Sequence, residues 1–225
     1  MIRFYFFFGL ILGLSHFEGG LITLFFQDRG RHNLLRIFQP FSSGALLSMA
    51  LIHLIPFSMR RLSWSPVIFL VTISGLMVLW EFGRPDRFIL TPGWGQRSLI
   101  FLYALSLGIL VGLGSIRVAL IATIVGVPAQ FVQGIKGFMN RVPQLSKGEF
   151  FERLFLNSLS IPITILVLYR FSNLLRPVHV GFLFSFSTAV ILFQGILEFR
   201  IPYPFKFSPL KVLYFLAGIF VVYCL

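Results

Sequence analysis

Long uncharged apolar runs alternate with short basic clusters along the whole chain, and within each run the apolar residues are continuous instead of alternating every second position. A run of about 20 apolar residues matches a helix crossing a hydrocarbon layer of about 30 Å. Strands of a membrane barrel show a two-residue period, which is missing here. The pattern predicts eight helices, over residues 4–26, 38–57, 66–80, 98–116, 118–135, 154–169, 178–197 and 210–225. Helices suit lipid because they satisfy their own backbone hydrogen bonds. The longest connection runs from Lys136 to Arg153, where Gly137, Pro143, Gly148 and several charges predict a solvated connector that interrupts helix. No connection is long enough for a soluble domain, so residues 1–225 read as one transmembrane domain.

Composition points the same way. Of 225 residues, 57% are hydrophobic and 12% are charged, with a mean hydropathy of +0.90; a soluble domain carries roughly 25% charged residues. The expected class is an all-α integral membrane protein. A net charge of +12 invites a nucleic-acid reading, but the Lys and Arg residues lie in short connections and form no contiguous basic face, so nucleic acid is not an expected partner. Their distribution reports topology. Arg3, Arg60, Arg61, Arg117, Arg170 and Arg176 fall on the side of the two termini, and the majority of the 19 cationic residues, Lys136 among them, fall on the other. The positive-inside rule then puts both termini outside, in a plasma or bacterial inner membrane or an organelle equivalent, with anionic lipid against the basic connections. The first run lacks a small-residue cleavage motif and reads as a retained helix. Cys224 is the single cysteine, which excludes a disulfide or a thiolate cluster within one chain.

Ionisable groups within the runs need a reason, because each costs on the order of 3 kcal/mol at the centre of a span. His16, Glu18, His53 and Glu198, with the amides Gln130 and Gln133, form the candidate polar path. His16 and Glu18 are two residues apart, about 200° around a helix, so they face different neighbours. His53 precedes Pro56 by three residues, and its imidazole suits a carbonyl that the proline leaves unbonded. Gly9 with Gly13 and Gly108 with Gly112 have the spacing of close helix contacts. No Walker loop, GxSxG, HExxH or cysteine pair occurs, so no enzyme is expected. Residues 41–56, FSSGALLSMALIHLIP, and 186–202, FSTAVILFQGILEFRIP, share an opening Phe-Ser, an ionisable residue twelve positions later and a closing proline. Five spans apart, they would run in opposite directions, the signature of an inverted repeat.

FSSGALLSMALIHLIP resembles the second span of the ZIP (zinc/iron permease) family. GLSHFEGGLITLFFQDRGRHNLLRIF resembles that family's first span and connector, ISGLMVLWEF its third span, FSFSTAVILFQGILEFRIP its seventh and VLYFLAGIFVVYCL its eighth. The resemblance implies eight helices in a 3+2+3 inverted-repeat arrangement and transport by alternating access, with a divalent metal as substrate and no resident cofactor. The metal-site motifs of the family are absent. On its fourth span, Leu107, Gly108 and Val111 stand where His, Asn and an acid belong; on its fifth, Val125 and Ala129 or Gln130 stand where His and an acid belong. Two functions follow from different classes. A divergent transporter of metal or another small solute requires the surviving polar residues to converge on one cavity. A transport-inactive structural or regulatory subunit, working as a homodimer or in a membrane complex, allows them to scatter around an apolar centre.

Overall fold

The computed structural model describes residues 2–25, 28–62, 66–73, 94–139, 146–200 and 209–225. Among the described residues the chain is helical apart from short turns, with no strand. The helices are α1 (Ile2–Phe25), α2 (Asp28–Ser48), α3 (Ile55–Arg61), α4 (66–73), α5 (Trp94–Leu113), α6 (Ile116–Met139), α7 (Lys147–Phe171), α8 (Pro177–Arg200) and α9 (Pro209–Cys224). Five stretches are long and apolar enough to cross a membrane: Arg3–Phe25, Asn33–Arg61, Ile116–Phe138, Lys147–Phe171 and Pro177–Phe199. Phe101–Leu113 and Pro209–Cys224 are apolar but shorter. Of the run expected over 66–80, α4 supplies the first part, and residues 74–80 lie outside the described residues.

Two local departures from the sequence reading have identifiable causes. α2 and α3 form one rod, joined by a π-helical turn at Met49–Leu54 in which the Ile55 N–H bonds the Ala50 carbonyl. Pro56 has no N–H to donate and its ring crowds the preceding turn, and the widened turn accommodates both defects. The second departure lies in the connector expected from Lys136 to Arg153: its described residues are helical except Ser146, while residues 140–145, Pro143 among them, lie outside the described residues. α6 continues to Met139, and α7 starts at Lys147, so Gly137 and Gly148 are both inside helices. A capping box fixes the start of α7. The Glu149 N–H donates to Ser146 Oγ at 3.3 Å, and the Ser146 N–H donates to Glu149 Oε2 at 3.0 Å.

Close packing is built on glycines. α1 lies against α6 and α7, α2 against α8 and α9, and α5 against α7 and α8. Gly19 and Gly134 let the backbones of α1 and α6 touch, and Gly44 and Gly218 do the same for α2 and α9. Gly9 and Gly13 face Pro162 and Ser158, while Gly108 and Gly112 face Thr164 and Ile165, so both glycine pairs read from the sequence grip α7 from two sides. In lipid such contacts are favoured because the hydrophobic effect does not drive helices together there.

α2–α3 and α8 run antiparallel, as the paired motifs predict. Ser43 lies beside Gly195, the Phe57 and Phe184 rings are 4.8 Å apart, and Leu62 meets Gly181. Tyr5 Oη donates to the Gly114 carbonyl at 3.3 Å, and Arg117 Nη2 donates to the Leu225 carbonyl at 3.1 Å. The start of α1, the α5–α6 turn and the end of α9 therefore share one end of the bundle. Outward faces are apolar, with Phe155, Ile163 and Leu166 on α7 and Leu210, Leu213, Leu216 and Phe220 on α9 all exposed.

Candidate functional site

The helix packing sorts the candidate polar residues into separate places. At the end of the bundle opposite the termini, Glu198 on α8 is fully buried. Its Oε1 accepts from Gln133 Nε2 of α6 at 3.0 Å and from Gln194 Nε2, one turn back on α8, at 3.1 Å. Its Oε2 accepts from Ser42 Oγ of α2. Gln39 Nε2 donates to the Glu198 backbone carbonyl at 2.5 Å, and Ser43 Oγ to the Gly195 carbonyl at 2.7 Å. A carboxylate withdrawn from water is tolerable only when its lone pairs are met in this way.

Two further polar groups belong to this layer. Lys136 Nζ on α6 and Tyr103 Oη on α5 lie within electrostatic range of the Glu198 carboxylate. Both atoms are buried without a hydrogen-bond partner among the described residues. The sequence reading put Lys136 in an aqueous connection. α6 continues past it, and its ammonium nitrogen is inside the protein.

His16 and Gln130 form a second buried pair, with Nδ1 of His16 3.0 Å from Oε1 of Gln130. Ser15 Oγ on the same face of α1 donates to the Val127 carbonyl at 2.7 Å. Nε2 of His16 and Nε2 of Gln130 have no partner among the described residues. Gln130, Gln133 and Lys136 recur every three residues on α6, so this helix carries both polar groups in succession.

Glu18 and His53 do not join them. Glu18 is exposed on the outer face of α1, turned away from buried His16 as their spacing on a helix requires. His53 is half-buried in the π-helical turn, and its Nε2 donates to the Val222 carbonyl of α9 at 3.3 Å instead of to its own helix. The α2–α8 register that pairs Ser42 with Glu198 also puts Ser187 level with His53. Ser187 Oγ is buried and has no partner among the described residues, so the second half of the repeated motif does not reproduce the contact of the first.

Of the positions that the sequence reading aligned with metal motifs, all but Gln130, which pairs with His16, are apolar or glycine and packed. Leu107, Val111 and Ala129 are fully buried and Val125 nearly so, in one core with Leu12, Leu46 and Met49. Gly108 is pressed against the Thr164 side chain. No group of three His, Cys, Asp or Glu side chains able to hold a metal ion occurs among the described residues. Sequence reasoning missed Ser42, Gln39, Tyr103 and the placement of Lys136. Ser42 belongs to the Phe-Ser motif that opens the second run, which was the available signal.

Fold and site together define a helical membrane protein whose centre is apolar and whose buried polar layer lies toward one end of the bundle. No protein-family model matches the chain, and no curated protein matches it.

Proposed function

We propose that the chain is a ZIP-like transporter with eight spans in a 3+2+3 inverted repeat. It moves a small solute, with a divalent metal of the zinc or iron type as first candidate, by alternating access. Its route is displaced from the mid-membrane motif positions to the layer around Glu198. The buried Glu198 carboxylate carries this reading, because an ionisable group withdrawn into a membrane bundle marks ion and substrate pathways. Glu198 supplies anionic oxygens and Ser42 a hydroxyl. The amides of Gln133 and Gln194 present carbonyl oxygens when turned, a donor set suited to a hard or borderline cation. In this reading the Glu198 end faces the cytoplasm and both termini lie outside, an orientation that the positive-inside rule supports.

The apolar packing of Leu107, Val111, Val125 and Ala129 favours a second reading, a transport-inactive subunit of a membrane complex. A dehydrated divalent ion finds no ligand among those side chains. Radiolabelled Zn²⁺, Fe²⁺ and Mn²⁺ uptake into proteoliposomes separates the two, comparing the native chain with Glu198→Gln and His53→Ala. Transport through the displaced route gives saturable uptake that Glu198→Gln abolishes and His53→Ala retains. Native uptake no higher than in empty liposomes for all three ions leaves the subunit reading.

A further inference from the structure

Lys136 holds its charge the wrong way round for a lysine near the end of a span. Such side chains ordinarily lay the methylene stem along apolar surface and keep the ammonium in water. Lys136 stands two residues before the end of the apolar stretch Ile116–Phe138 and is half-buried as a residue, yet its Nζ is inside the protein. An ammonium in that position is costly unless an opposite charge is near. Glu198 is that charge.

The geometry of α6 brings the two groups into the same layer. Gln133 Nε2 donates to Glu198 Oε1 at 3.0 Å, and Lys136 follows Gln133 by three residues, a neighbouring position about 4.5 Å further along the helix. The flexible four-carbon stem of a lysine spans that distance. The two charges nevertheless share no hydrogen bond: the carboxylate oxygens take Gln133, Gln194 and Ser42, and Nζ has no partner among the described residues. Lys211, at the start of α9, is engaged elsewhere, donating to the Phe199 carbonyl at 3.0 Å and lying 5.0 Å over the Phe199 ring. Lys136 is therefore an opposite charge held close to the carboxylate without being bonded to it, and the end of the span is within reach of its partly exposed stem.

We infer that Lys136 is a tethered counter-ion of Glu198, a specificity residue that neutralises the carboxylate when no solute is bound and gives way only to a divalent cation. The inference rests on the reading of the Glu198 layer as the solute route. A monovalent ion gains nothing by replacing an ammonium of equal charge, whereas a divalent ion doubles the attraction to the carboxylate. On its arrival the lysine side chain swings out past the end of α6 into water. On its release the ammonium returns, so the empty carrier changes conformation without an uncompensated buried anion.

Calorimetric Zn²⁺ titration of the purified full chain in detergent tests it. Lys136→Met is expected to bind Zn²⁺ about tenfold more tightly than the native chain, because the competing charge is gone, and Lys136→Arg about as tightly as the native chain. Na⁺ is expected to compete with Zn²⁺ in Lys136→Met and not in the native chain. A lysine with a merely structural role moves neither readout. If the native chain binds Zn²⁺ and Lys136→Met binds it no more tightly, the inference is overturned and the route stands. If neither binds Zn²⁺, the route reading is overturned and the inference with it. If Lys136→Met does not fold, adding Glu198→Gln is expected to restore folding by removing the uncompensated charge, and a double variant as unfolded as the single overturns the pairing.

Discussion

Glu198 concentrates the energetics of the polar residues, because three donors from its own helix and two others depend on one carboxylate. Glu198→Ala leaves the Gln133 and Gln194 amides without the acceptor they share, while the Ser42 hydroxyl keeps the Gln39 carbonyl at 3.0 Å. It should destabilise the protein by on the order of 3 kcal/mol, with Glu198→Gln costing less because an amide oxygen still accepts. Denaturant titration of the purified chain in detergent measures both, and an alanine variant as stable as the native chain would show that the cluster is not closed as described. Glu198, His16 and Gln133 were legible as polar residues inside apolar runs. Tyr103 was not, since tyrosine is common in membrane helices and only the facing carboxylate distinguishes it, and Ser42 was visible only as part of the repeated Phe-Ser, without its role.

Helix pairs α1–α6 and α2–α9 are set by backbone approach. A Cβ on Gly44 would meet the Phe215 carbonyl oxygen, and one on Gly218 would meet the Phe41 carbonyl oxygen and lie 2.9 Å from the Ala45 nitrogen. Backbone atoms cannot turn aside like a side chain, so Gly218→Leu should cost about 3 kcal/mol and separate α2 from α9. Gly148 has nothing within 4 Å of its Cβ position. Gly148→Ala should therefore be neutral or stabilising by up to about 1 kcal/mol, through the better helix propensity of alanine. Thermal unfolding of the two variants side by side checks the contrast. Spacing pointed to Gly9, Gly13, Gly108 and Gly112 and missed Gly44, Gly134 and Gly218. The latter pack across helices without a partner glycine four residues away on the same helix.

Across the whole molecule, the Tyr5–Gly114 and Arg117–Leu225 contacts bring the first and last helices to one end of the bundle. Cys224 and a cysteine introduced as Phe4→Cys, both exposed, should then react with a membrane-impermeant maleimide from the same side, and from the outside if the basic connections face the cytoplasm. Labelling of the two from opposite sides would contradict the packing of α1 and α9 at the α5–α6 turn. Labelling of both from the cytoplasmic side would reverse the orientation and leave the fold intact. The end of the bundle at which the polar layer lies follows from the same geometry, because Glu198 lies near the end of α8 that is farthest from Tyr5 and Leu225.

Helical class, membrane residence and the approximate position of the helices were determined by the sequence itself. A continuous apolar run can bury its backbone in lipid only by bonding within itself, and that is a local property. Helix rotation and neighbour choice are not local. Ser42 and Glu198 are 156 residues apart in the chain, and Gln133 and Glu198 are 65 apart. Their meeting depends on which helices the glycines allow to touch. The same packing left Glu18 outside while burying His16 two positions away, and filled the centre with Leu107, Val111, Val125 and Ala129. Those outcomes belong to tertiary structure, where helices of nearly uniform apolarity are ordered by shape and by the few polar groups that must find one another.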